Sequence, residues 1–187
     1  NGYYGLAAVS TEGAELWTFE TDSRIVGAPT VHEGTVYGTG YDADLYAIDA
    51  ASGDQQWHAD TGAETPATPS VADGTVYLGV QNAVQAYDAA SGDQQWTFEV
   101  DGDTNFTSSA PAVADGAVVF GDFEGRLYAV ESDGTERWSV DIADFTSSSP
   151  AVADGTVYLA ATTSGDPNTA SVYAHDIADG SEVWSTK

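Results

Sequence analysis

Cysteine is absent from this chain, which excludes disulfides, iron–sulfur clusters, thiol catalysis and cysteine-ligated zinc. Basic residues are scarce: 4 Lys and Arg stand against 30 Asp and Glu, a formal charge of −26 at pH 7. Binding DNA or RNA needs a cationic surface that releases counterions from phosphate, so nucleic acid is excluded as a partner. Anionic lipid headgroups are disfavoured on the same ground. No apolar run approaches the roughly 18 residues of a membrane helix, so no membrane insertion is expected. Methionine is also missing, and the chain opens at Asn1 without a signal peptide, which reads as a mature or cut product.

Large aliphatics are sparse too. Leu, Ile, Val and Phe make up under a fifth of the 187 residues, a level that beside high net charge normally means disorder. The aromatics oppose that reading. They form 11% of the chain, and the five tryptophans Trp17, Trp57, Trp96, Trp138 and Trp184 recur at spacings of 40, 39, 42 and 46. Pro29, Pro69, Pro111 and Pro150 keep step at 40, 42 and 39. A period near 40 residues signals a repeat architecture.

Within each repeat, a short segment after Pro, such as Ser70–Ala72, leads to Asp73-Gly74, Asp115-Gly116 or Asp154-Gly155, with Glu33-Gly34 in the first. Asp-Gly between β-branched runs predicts a hairpin with a type I′ turn. An alternating Thr-Val-Tyr strand follows at 35–37, 75–77 and 156–158, then a third strand such as Leu45–Asp49, then the Trp strand. Four short strands per 40 residues, with no helical period, predict an all-β propeller of four-stranded antiparallel blades. The expected division is a half blade at 1–28 and full blades at 29–68, 69–110, 111–149 and 150–187, forming a single partial propeller. Such a chain reads as a fragment of a propeller with about seven or eight blades, or as one completed by another copy. Self-association is expected through its open blade edges, at Leu6–Val9 and on the last repeat.

Ala47-x-Asp49-x3-Gly53-x3-Trp57 recurs as Ala86-x-Asp88-x3-Gly92-x3-Trp96 and Ala174-x-Asp176-x3-Gly180-x3-Trp184. This pattern resembles the tryptophan-docking motif of PQQ-type, quinoprotein-like β-propeller repeats. The resemblance implies that each indole sits between its own motif's Ala and the Gly-bearing turn of the next blade. Trp17 and Trp138 belong to motifs one residue shorter, with Ser10 and Glu131 in place of Asp, so tighter turns are expected there.

Other candidate sites are thinner. Asp101-x-Asp103-x-Asn105 resembles the opening of a calcium loop but lacks its glycine and closing glutamate. Asp42 and Asp44 read as a solvated turn. His32, His58 and His175 show no metal-ligand spacing and read as surface or edge residues. Phe106–Pro111 and Phe145–Pro150 lead into inner strands at the mouth of the central channel. Their small hydroxyl residues read either as a ligand site or as what the crowded axis admits. An inserted turn spans Ala160–Ser171, and Asn105-Phe106-Thr107 is a glycosylation sequon.

Two functions compete. The first is a non-catalytic propeller scaffold, extracellular or on a cell surface, that binds protein or peptide and needs no cofactor. The alternative is part of a PQQ- and calcium-dependent quinoprotein dehydrogenase, or a sensor ectodomain. The family's dehydrogenases imply a catalytic Asp, calcium-ligating Glu and Asn, a stacking Trp and often a Cys pair, and this chain has no Cys. The acid excess reads as adaptation to the multimolar salt of a halophilic archaeon. Stability should therefore rise steeply with salt up to about 1 M, where the Debye length shrinks to about 3 Å. Thermal melts by circular dichroism across a salt series check this, and a melting temperature unchanged from about 0.1 M upward would refute it.

Overall fold

The computed structural model describes residues 4–64, 67–100, 110–144, 146–162 and 170–186. Among them every regular element is a strand. Strands β1 (Gly5–Val9) and β2 (Glu15–Glu20) pair as a two-stranded antiparallel sheet. Four four-stranded antiparallel sheets follow. The first holds β3 (Thr30–His32), β4 (Thr35–Thr39), β5 (Asp44–Asp49) and β6 (Gln55–Asp60). The second holds β7 (Ser70–Ala72), β8 (Thr75–Val80), β9 (Ala83–Asp88) and β10 (Gln94–Glu99). The third holds β11 (Ala112–Ala114), β12 (Ala117–Gly121), β13 (Arg126–Glu131) and β14 (Glu136–Asp141). The fourth holds β15 (Ala151–Ala153), β16 (Thr156–Thr162), β17 (Ala170–Asp176) and β18 (Glu182–Thr186). The architecture is a partial β-propeller of about four and a half blades, with the first strands β3, β7, β11 and β15 touching in succession.

The first hairpin of each blade turns as its dipeptide predicts. Glu33, Asp73, Asp115 and Asp154 take φ of 46–50°, and the glycines after them 73–81°, the pair of positive values a type I′ turn demands.

Among the described residues, apolar clusters lie between successive sheets. Tyr37, Leu45, Ala47 and Trp57 of the first full sheet pack on Val76, Leu78 and Tyr87 of the second. Tyr77, Val84 and Ala86 then pack on Val118, Phe120, Tyr128 and Val130 of the third. The middle strands are thus covered on both faces, so they read as nearly unbroken small and apolar runs rather than alternating ones. That is how a chain so poor in Leu and Ile still folds: thin blades are stacked, and each apolar residue meets a neighbour.

The turn between the third and fourth strands is built by the motif's Asp. Asp49 accepts from the backbone N–H of Ser52 at 2.8 Å and Ala51 at 2.9 Å, while Gly53 N–H bonds Asp49 C=O at 2.9 Å. Asp88 repeats this with Ser91 and Ala90. Those donated bonds hold both carboxyls below their ordinary value. A carboxyl lowered on folding stabilises the native state above the unfolded value of about 3.9, and that contribution is lost as pH falls through the folded value. Melting temperature at constant high salt should therefore fall below about pH 4. Asp88→Ala should lower the plateau and flatten the slope, and an unchanged acid slope would show that the turn carboxylate contributes nothing.

Candidate functional site

Four equivalent joints link the sheets. Trp17, Trp57, Trp96 and Trp138 stand opposite Ala8, Ala47, Ala86 and Ala129 in their own sheets. The small Ala leaves room for an indole, and a register shift beside each Ala–Trp pair tilts the strand. Each ring leans on a glycine of the next sheet's turn: Trp17 on Gly53, Trp57 on Gly92, Trp96 on Gly134 and Trp138 on Gly180. A Cβ on any of these glycines would lie 2.7–2.9 Å from the ring. Each indole N–H also donates to a turn carbonyl: Trp17 to Ala50 at 3.0 Å, Trp57 to Ala89 at 3.0 Å, Trp96 to Ser132 at 2.9 Å and Trp138 to Ile177 at 2.9 Å. Trp184, opposite Ala174 on β18, is 43% exposed with no glycine on its face among the described residues.

The tighter turns differ as their length requires. Gly134 N–H bonds Glu131 C=O three residues back, whereas Gly53 reaches four back. Gly134 still receives Trp96, a partnership the motif spacing concealed because the turn is one residue short. The carbonyl acceptors carry no side-chain signal at all, which is why the sequence is silent on them. Arg137 clamps this turn, with Nε and Nη2 on Glu131 at 2.7 and 2.8 Å, which holds the Glu131 carboxyl below its ordinary value.

His175 corrects an expectation. It is buried, not superficial, and its Nδ1 lies 2.9 Å from Gly180 C=O. It occupies the β17 position that Ile48 fills on β5, facing the preceding sheet. Asp42 and Asp44 are not simply solvated: the Tyr46 hydroxyl donates to them at 2.9 and 3.3 Å, and Asp44 lies 3.4 Å from His58 Nδ1. Burial, reinforced by the two carboxylates, raises the Tyr46 hydroxyl far above its ordinary value. His32 is half-buried on β3.

At the channel mouth, Thr146, Ser148 and Ser149 are engaged with backbone, while Ser147 is exposed. Thr146 and Ser148 donate to Ala160 C=O at 2.9 and 2.7 Å, and Ser149 accepts from Ala110 N–H at 3.0 Å. Thr30 and Ser70 donate to Pro69 and Pro111 carbonyls of the following sheet. Asp101, Asp103, Asn105, Phe106, Phe145 and 164–168 lie outside the described residues. Among the described residues, no three of His, Asp and Glu gather as a metal-holding group.

Indole burial ranks the joints. Trp57→Ala should cost about 3–5 kcal/mol, the range for deleting a large buried aromatic. Trp184→Ala should cost less than about 1 kcal/mol, as an exposed residue does. Gly74→Ala, in open space, should cost about 1–2 kcal/mol of left-handed strain, whereas Gly92→Ala adds a clash with Trp57 and should exceed it. Denaturant midpoints of the four variants check this order, and equal losses at Trp57 and Trp184 would refute it.

No curated protein sequence matches the chain. Among solved structures, BamB from Moraxella catarrhalis superposes with a TM-score of 0.71 at 18% identity, over 98% of this chain and 70% of that one. Quinohemoprotein alcohol dehydrogenase ADHIIG from Pseudomonas putida HK5 gives 0.74 at 19%, over 90% of this chain and 35% of that one. The enzyme of the same kind from Comamonas testosteroni gives 0.73 at 18%, over 88% and 35%. At such identities the likeness is one of fold, and the chain spans about a third of either dehydrogenase. A family model described as outer membrane protein assembly factor BamB matches residues 2–82 and 80–187, and the chain with its four repeated joints belongs to that PQQ-like repeat family.

Proposed function

We propose that the chain is a non-catalytic propeller scaffold that binds a protein or peptide partner through the loops on its disc face. In this reading the division at 1–28, 29–68, 69–110, 111–149 and 150–187 is that of one partial propeller, and the indole joints are the tryptophan-docking girdle that holds it. The observation that carries the reading is that four of the five indoles and the described arginines are occupied by the fold. PQQ presents a planar ring and three carboxylates, so holding it takes a free aromatic face and cations or calcium. Four indoles lie on glycines. Arg137 is bonded to Glu131, Arg126 to Ser139, and the Arg24 guanidinium lies 5.0 Å over the Tyr41 ring. That occupancy supports a scaffold rather than a PQQ-holding site among the described residues. The acid excess supports a working medium of high salt, as in a halophilic archaeon, and an extracellular or cell-surface site suits a module of this family.

The second reading, part of a PQQ- and calcium-dependent dehydrogenase, is favoured by the superposition on the alcohol dehydrogenase from Pseudomonas putida HK5 at a TM-score of 0.74. A sensor ectodomain is a variant of the scaffold reading. Titration calorimetry with PQQ and calcium at high salt, beside a dye-linked dehydrogenase assay, separates the two. No heat of binding and no turnover are expected. Micromolar affinity with calcium-dependent turnover would replace the scaffold with the enzyme.

A further inference from the structure

The joints between full blades repeat one arrangement on the side where the first hairpins turn. There the hairpin turn of one blade stands against the third-to-fourth-strand turn of the next. Between the first and second full blades the two turns border a cleft of about 480 Å³, lined by Glu33, Thr35, Tyr37, Gln56, Asp88 and Ala89 among others. Between the second and third the cleft is about 310 Å³, with Asp73, Thr75, Tyr77 and Ser132 on its walls. Among the described residues no lysine or arginine lines either cleft, and His32 stands at the first.

Between the third and fourth blades the chain fills this place itself. Arg137 precedes Trp138 as Gln56 precedes Trp57 and Gln95 precedes Trp96. Its guanidinium is held by Glu131 and bridges the two turns: Nη2 donates to Asp115 C=O at 3.1 Å and Nη1 to Ile177 C=O at 3.5 Å. Asp115 is the counterpart of Glu33 and Asp73 in the hairpin turns. Ile177 C=O receives Trp138 as Ala89 and Ser132 C=O receive Trp57 and Trp96. The blade that supplies the arginine lacks the hydroxyls of the open clefts. Ala117 and Val119, fully buried on β12, stand where β4 has Thr35 and Tyr37 and β8 has Thr75 and Tyr77. One joint thus shows, with a side chain of the protein, what the place between the turns accepts.

The open clefts also differ in one donor. In the first, Tyr37 gives its proton to Ala89 C=O at 3.2 Å. In the second the facing turn is one residue shorter, and no carbonyl among the described residues takes the proton of Tyr77. Tyr77 is 3% exposed, with the Thr75 hydroxyl beside its own. A buried phenol on a cleft wall suits a main-chain carbonyl of a peptide, as the acceptors around it suit a guanidinium.

We propose that these two clefts take arginine side chains of a basic peptide segment, each guanidinium lying between the two turns as that of Arg137 does. This deepens the scaffold reading and rests on it, naming the chemistry of the partner and the face that reads it. Arginine fits better than lysine because its planar fork reaches several acceptors at once. Glu33, Asp88 and Asp73 offer carboxylates there, and Ala89 and Ser132 offer carbonyls. The charge of −26 draws a cationic partner to the surface.

The indole N–H resonances of Trp57 and Trp96 report on the clefts, because each indole would share its acceptor carbonyl with the guanidinium. Titration with N-acetyl-arginine amide at about 1 M NaCl, where screening shortens to about 3 Å, should shift both signals to saturation. Trp138, whose joint holds Arg137, should not move. The citrulline analogue, alike in shape but uncharged, should bind about tenfold more weakly. Gln56→Arg should give the first cleft a guanidinium of its own, so that Trp57 falls silent while Trp96 still responds and shows that the variant is folded. Among two-arginine peptides on graded Gly-Ser linkers, the best should bind at least about tenfold more tightly than the single residue. The assignment is overturned by any of five results: no shift at Trp57 or Trp96, an equal shift at Trp138, equal binding of citrulline, a Trp57 response that survives Gln56→Arg, or no gain from any two-arginine peptide. None of them touches the scaffold reading, which falls instead to PQQ binding with turnover.

Discussion

An indole laid on bare backbone holds this molecule together. Each blade is too thin to have an interior, so cohesion comes from contacts between consecutive blades, and a tryptophan supplies one at each of the four joints. Its ring buries a broad apolar surface, and its one polar atom meets a carbonyl, so burial leaves no unpaired donor. Glycine is the only residue that permits this approach, and it also supplies the positive φ of the turn. Alanine behind the ring completes the slot. Stability in such a chain is close to a sum over neighbours, with each joint strengthening the two blades it connects.

The acidic residues are woven into the same architecture. Asp49 and Asp88 shape the turns that receive the indoles by accepting backbone N–H groups. Glu131 does related work through Arg137, whose guanidinium also reaches the Ile177 carbonyl of the next sheet. Part of the negative charge thus serves local structure, and much of the rest is at the surface with few cations to answer it.

Membership in the PQQ-like repeat family establishes the fold, and the chemistry placed on such a fold varies from one relative to the next. In this chain four of the five indoles and the arginines Arg24, Arg126 and Arg137 are engaged by neighbouring groups of the blades.

The period, the strand count and the first hairpin turns were legible in the amino-acid order, because spacing, alternation and Asp-Gly are local signals. Trp17, Trp57, Trp96 and Trp138 could be singled out for the same reason. Tertiary structure alone decided what each group meets. His175, with no polar partner near it in sequence except its own turn, proved buried because β17 faces the preceding sheet at that position. Asp42 and Asp44 found the Tyr46 hydroxyl. Gly134 received Trp96 despite a shortened turn. The difference has one physical cause. A strand's side chains alternate by rule, but the contacts between blades depend on which face meets which neighbour. That is settled only when the blades pack.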